Sequence, residues 1–118
     1  MSKLLLLGLA LFSIAAMAAD LSGTWTAAVE TDAGSGTPTF VFKQTGDQLT
    51  GTYTGALGEG LKVSGTLKGN QVTWSFDASG GGESVKVVYS GTLGDDGKIK
   101  GTVELGSLGK GTFTATKK

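Results

Sequence analysis

From Leu21 to the end of the chain, apolar and polar residues alternate with a period of two, and short clusters of Gly, Asp, Asn and Ser interrupt the alternation. Half-buried β-strands joined by tight turns have this pattern. The period predicts strands near 21–30, 37–45, 48–55, 60–68, 71–77, 83–93, 98–105 and 110–116. The connecting segments are TDAGSG, GD, ALGE, GN, ASGGG, GDDG and GSLG. All are short, and the Gly-Asp, Gly-Asn and Asp-Gly pairs suit hairpins. No segment holds a convincing helical period.

Aligning the strands separates two faces. One carries Leu21, Gly23, Trp25, Ala27 and Val29, then Phe40 and Phe42, then Leu49, Gly51, Tyr53 and Gly55. It continues through Leu61, Val63, Gly65 and Leu67 to Val72, Trp74 and Phe76. The last three strands add Val85, Val87, Tyr89, Gly91 and Leu93; Ile99, Gly101, Val103 and Leu105; and Gly111, Phe113 and Ala115. The opposite face is almost all Ser, Thr, Lys, Glu and Gln, with Val41 and Val88 as its main apolar members. Eight amphipathic strands on short hairpins predict an all-β fold, an eight-stranded antiparallel up-and-down β-barrel, because closure removes the sheet edges. A two-sheet β-sandwich is the alternative. In the meander GD, GN and GDDG fall at one end, while TDAGSG, ALGE, ASGGG and GSLG fall at the other. The barrel should therefore have a compact base and a more open mouth.

A second regularity lies within the strands. Gly-Thr plus an apolar residue recurs as GTW at 23–25, GTY at 51–53, GTL at 65–67 and 91–93, GTV at 101–103 and GTF at 111–113. Glycine weakens a strand unless the backbone must coil sharply or something must approach closely. The meander predicts Gly23, Gly51, Gly65, Gly91 and Gly101 near one inward level, and Gly111 nearer the opposite end. Trp25 and Trp74 are expected to pack over that layer.

The first twenty residues, MSKLLLLGLALFSIAAMAAD, break the strand pattern. Lys3 precedes an apolar run from Leu4 to Ala15 that is short for a membrane span. Ala16-Met17-Ala18 then fits the small-x-small cleavage rule. Residues 1–18 read as a signal peptide and 19–118 as a single barrel domain, exported to the periplasm or the medium. The mature chain would have no stable membrane span. It holds no Cys, His or Arg, and its 9 Lys face 10 acidic residues. A near-neutral balance gives no electrostatic case for nucleic acid. Without His or Cys the usual metal ligands, general base and thiol nucleophile are missing, so neither an enzyme, a metal site nor a cofactor is expected.

The candidate chemistry is therefore the inward aromatic set: Trp25, Phe40, Phe42, Tyr53, Trp74, Phe76, Tyr89 and Phe113. An eight-stranded barrel is either filled by such side chains or holds one small ligand, and both readings stand. For a small apolar ligand in the mouth, the candidate binding residues are Val29, Phe40, Tyr53, Val63, Trp74, Phe76, Val85 and Val103. The competing class is an interaction or inhibitor-type barrel with a filled core, acting through its loops. A third arrangement, an outer-membrane barrel with inverted faces, needs strands of roughly 9–11 residues, longer than most here.

Two local motifs resemble known families. Gly23-Thr24-Trp25 on the first strand resembles the lipocalin G-x-W signature, which implies a tryptophan closing the barrel base. The arginine that lipocalins pack over it has no counterpart. GTW together with LTGTY at 49–53 is similar to avidin strands, so the chain looks like a small secreted calycin-type barrel. It also resembles small secreted bacterial proteins that open with a DLxGTW-like strand, a likeness that implies no activity. The avidin likeness implies a biotin-type site only at Tyr53. Ala27 and Gly55 stand where an avidin places an asparagine and a serine, and the late tryptophans are missing after Trp74. Tight biotin binding is not expected, because the ureido group would lack its polar partners.

Overall fold

A computed structural model describes residues 20–32, 34–80 and 83–118. The expected signal peptide and its cleavage point after Ala18 lie outside the described residues. The strands are β1 Gly23–Thr31, β2 Gly34–Gly36, β3 Thr39–Thr45, β4 Gln48–Gly55, β5 Gly58–Lys68, β6 Gln71–Gly80, β7 Glu83–Leu93, β8 Ile99–Glu104 and β9 Lys110–Lys117. Each pairs antiparallel with its neighbour, and β9 returns to pair with β1 from Trp25↔Lys117 to Thr31↔Gly111. That last ladder decides between the barrel and the sandwich: the sheet closes on itself as an eight-stranded up-and-down barrel.

The ninth strand, β2, is an arm rather than a stave. Gly34–Gly36 folds back onto Val29–Thr31, on the side of β1 that β3 occupies lower down. Thr37 and Pro38 separate the two pieces. Proline has no N–H to give a ladder, but its carbonyl accepts from the Ala27 N–H at 3.0 Å, so the chain stays attached across the break.

Closure with tilted strands requires a stagger. The paired row Leu49, Gly65, Trp74, Tyr89, Val103 and Gly111 leads round the barrel to Thr31. In the other direction it passes through Gln44, whose side chain accepts the Leu21 N–H at 2.7 Å. One circuit thus climbs about ten residues along the first strand and its lead-in, the shear of a narrow, strongly coiled barrel.

The glycine positions follow from that coiling. They do not form one row. Gly91 and Gly101 pair directly, while Gly65 and Gly111 lie on one row that climbs with the shear, Gly65 beside the base turn and Gly111 beside the mouth connection, as the meander predicts. Their neighbours differ from the expectation. A Cβ on Gly51 would collide with the Val41 carbonyl, and one on Gly65 with the Thr73 carbonyl and, at 2.7 Å, the Trp74 Cα. Neighbouring backbones approach too closely for any side chain. At Gly91 the hollow instead holds an aromatic ring, with Phe113 at 3.0 Å from where a Cβ would be.

The interior is continuous and apolar, and no buried polar or charged residue occurs among the described positions. At the base Trp25 is buried, and its indole N–H donates to the Leu21 carbonyl at 2.9 Å. The exposed face carries Thr, Ser, Lys and Glu, with Val41 as an isolated apolar exception. The faces are thus polar outside and apolar inside, the reverse of a lipid-facing barrel.

Candidate functional site

The lower and middle barrel is filled. Trp74 is fully buried, stacked on Tyr89 at 5.1 Å with 10° between the rings. Phe40, Phe42 and Phe113 meet it edge-on at 5.3, 5.0 and 5.4 Å. Its indole N–H has no hydrogen-bond partner and is enclosed by these rings. Tyr53 stacks on Phe76 at 4.3 Å and meets Phe40 edge-on at 5.4 Å. Offset and edge-to-face contacts of this kind add to the burial of large apolar surfaces. The barrel axis is therefore a packed core and not a channel.

Above that core the mouth is hollow. A cavity of about 370 Å³ lies between the β2 arm, the β4–β5 turn and the β8–β9 connection. Val29, Pro38, Leu57, Leu105 and Leu108 supply its apolar wall, and Tyr53 and Tyr89 its aromatic floor. Thr31, Ser35 and Thr37 add hydroxyls at the arm, and no charged side chain among the described residues lines it. A second cavity of about 270 Å³, lined by Ala78, Val85 and Val87 among others, opens beside it. Leu57 and Leu108 border both, so these two side chains form the partition. Leu108 sits in a single 3-10 turn, Gly106–Leu108, and is half exposed although large and apolar.

The sequence-predicted residues divide between these levels. Val29 and Tyr53 line the larger cavity, and Val85 lines the smaller. Phe40, Val63, Trp74, Phe76 and Val103 are buried in the core beneath and line neither. The face pattern identifies inward positions but not their height. Trp74, expected on the mouth side, is instead sealed by rings around it. The residues missed are Tyr89 and the loop leucines Leu57, Leu105 and Leu108. Tyr89 was visible as an inward aromatic. Leu105 was likewise visible as an inward position, whereas Leu57 and Leu108 sit in turns, where periodicity gives no direction.

The two phenols differ in their partners. Tyr53 Oη accepts the Leu57 N–H at 3.3 Å, which ties the β4–β5 turn to the cavity floor. A Cβ at Gly55 would lie 2.7 Å from that oxygen, so glycine here makes room for the tyrosine ring. Tyr89 Oη has no hydrogen-bond partner among the described residues, and burial, with Tyr53 nearby, pushes its pKa well above the usual phenol range. Both rings are nearly inaccessible, each 3 % exposed.

Outside the barrel, Asp32, Lys86, Glu104 and Lys110 surround an open depression of mixed charge near the rim. One Asp32 carboxylate oxygen there accepts the Lys110 N–H at 3.4 Å. Comparison with known proteins adds no relative: no family model matches the chain, and neither a curated protein nor a solved structure matches it.

Proposed function

We propose that this chain is a non-enzymatic, exported binding protein that takes one small apolar ligand in the mouth of its barrel. The observation that carries the reading is the uncharged cavity of about 370 Å³ above a filled aromatic core. Its size falls at the lower end of small-molecule sites, and an apolar wall with a few convergent polar groups is their usual chemistry. Export rests on the leader read from residues 1–18, and the polar outer face is compatible with it. The calycin-type likeness is supported at the level of a closed eight-stranded barrel with Trp25 at its base. The loop-acting interaction protein is the competing reading, favoured by the half-exposed Leu108.

A neutral apolar dye, N-phenyl-1-naphthylamine, tests the reading. Its fluorescence should rise on binding the native protein. Gly36 lines the cavity, lies outside the positive-φ region and has open space around a Cβ, so Gly36→Phe can fill the site without backbone strain. Gly36→Phe and Ala56→Trp should each weaken binding about tenfold, while Thr52→Ala on the outer wall should not. Absence of dye binding, or binding unchanged in both filling variants, would favour the interaction protein. Trp74→Ala is not a useful probe, because it would open a void within the core.

A further inference from the structure

The orphan phenol narrows the ligand class, given the mouth-cavity reading above. A buried hydroxyl without a partner is costly, and most find one. Among buried side-chain polar atoms, those sealed without a partner are Thr26 Oγ1 and Trp74 Nε1. Tyr89 Oη is not among them although it makes no hydrogen bond, so it reaches the cavity that its residue lines. One phenol therefore stands unused on the floor of a chamber whose other hydroxyl side chains, Thr31, Ser35 and Thr37, lie at the β2 arm. Tyr53 Oη already takes part in a hydrogen bond, as acceptor of the Leu57 N–H, so Tyr89 is the phenol that makes none among the described residues.

From this geometry we infer that Tyr89 Oη is the polar anchor of the site, donating its proton to a single carbonyl-type oxygen on an uncharged, otherwise apolar ligand. The apolar body then lies against Val29, Leu57, Leu105 and Leu108. An ionised ligand is disfavoured because the lining offers no opposite charge to offset its desolvation. A pure hydrocarbon fills the chamber but leaves the phenol unpaired. Tyr89 stays protonated at any physiological pH, since burial raises its pKa. It therefore acts as a constant donor.

The test compares three probes of similar shape: acetophenone, cumene and benzoate. Calorimetry on the full folded protein at neutral pH should give acetophenone about a tenfold advantage over cumene, the worth of one buried hydrogen bond. Benzoate should bind more weakly than either. The carbonyl stretch of bound acetophenone should move to lower frequency. Tyr89→Phe keeps the ring and its stacking on Trp74, so it should retain cumene binding while abolishing both the preference and the infrared shift. Equal affinity of wild type for acetophenone and cumene would overturn the anchor and leave the cavity reading intact. A preference that survives Tyr89→Phe would do the same. If none of the three binds, the cavity reading fails along with the anchor.

Discussion

Gly51, Gly65, Gly101 and Gly111 show most directly how single residues constrain this barrel. At each, a Cβ would strike the carbonyl of the residue preceding its paired partner on the adjacent strand. The obstacle is backbone, which cannot rotate away as a side chain can. Gly51→Ala and Gly65→Ala should each destabilise the fold by about 3 kcal/mol, at the upper end of overpacking costs. Gly36→Ala, with nothing within 4 Å, should stay within about 0.5 kcal/mol of the parent. Denaturant melts of the three variants decide the matter; equal stability of Gly51→Ala and the parent would contradict the close approach. The recurring Gly-Thr motif thus serves curvature, and the threonine after each glycine faces outward. Thr66, Thr73, Ser90, Thr102 and Thr112 pair in one unbroken row across five strands, where cross-strand hydroxyl contacts support the sheet.

Among the elements, the hairpins reflect their turn residues. Gly46 and Gly69 open the two-residue turns at the base, both with φ of +62°, the region a primed turn requires at its first position. The strands they join run close to their expected bounds. The exceptions are at the mouth. The β2 arm lies in a segment expected to be loop, because Gly-Ser-Gly has little strand propensity and no apolar face to reveal it. Its three pairs with β1 are supplemented by the Thr31 hydroxyl donating to the Gly34 carbonyl at 2.8 Å, and all three of its residues are exposed. Local stability follows buried contact, so amide hydrogen exchange should release the β2 amides first and hold those of β6 and β7 longest. Equal protection of β2 and β6 would show that the arm is a full stave. The arm also borders the cavity, so its opening is the expected path for a ligand to enter.

At the scale of the molecule, closure of the barrel is the property that matters, and the proposed export bears on it. Pairing of β1 with β9 places the first and last strands side by side, and the Lys118 N–H donates to the Thr24 carbonyl at 2.8 Å. The barrel thus needs its C-terminal strand to complete its wall. Leu21, which lies just after the expected cleavage point, is buried, and its backbone is held by Gln44. Cleavage after Ala18 leaves this base latch whole. N-terminal sequencing of the exported protein should therefore begin at Ala19. Recovery of a mature form starting at Met1 would refute both the signal peptide and the localisation, whereas a cut beyond Leu21 would remove the latch and lower the melting temperature.

The alternation of apolar and polar residues by itself determined the strands, their order and which side of each faces inward. Period two leaves a side chain no other choice once one face must be dry. It also determined that the core would be aromatic, while the place of Trp25 near the base came from the G-x-W likeness. Height along the axis was beyond it, because height depends on the stagger that closure imposes. That is why Trp74, Phe40 and Phe76 are core rather than cavity wall. The cavity itself belongs to the tertiary structure alone. Leu57 and Leu108 sit in turns with no periodic signal, and they meet Leu105 only because the closed barrel brings the β4–β5 and β8–β9 ends together over Tyr53 and Tyr89.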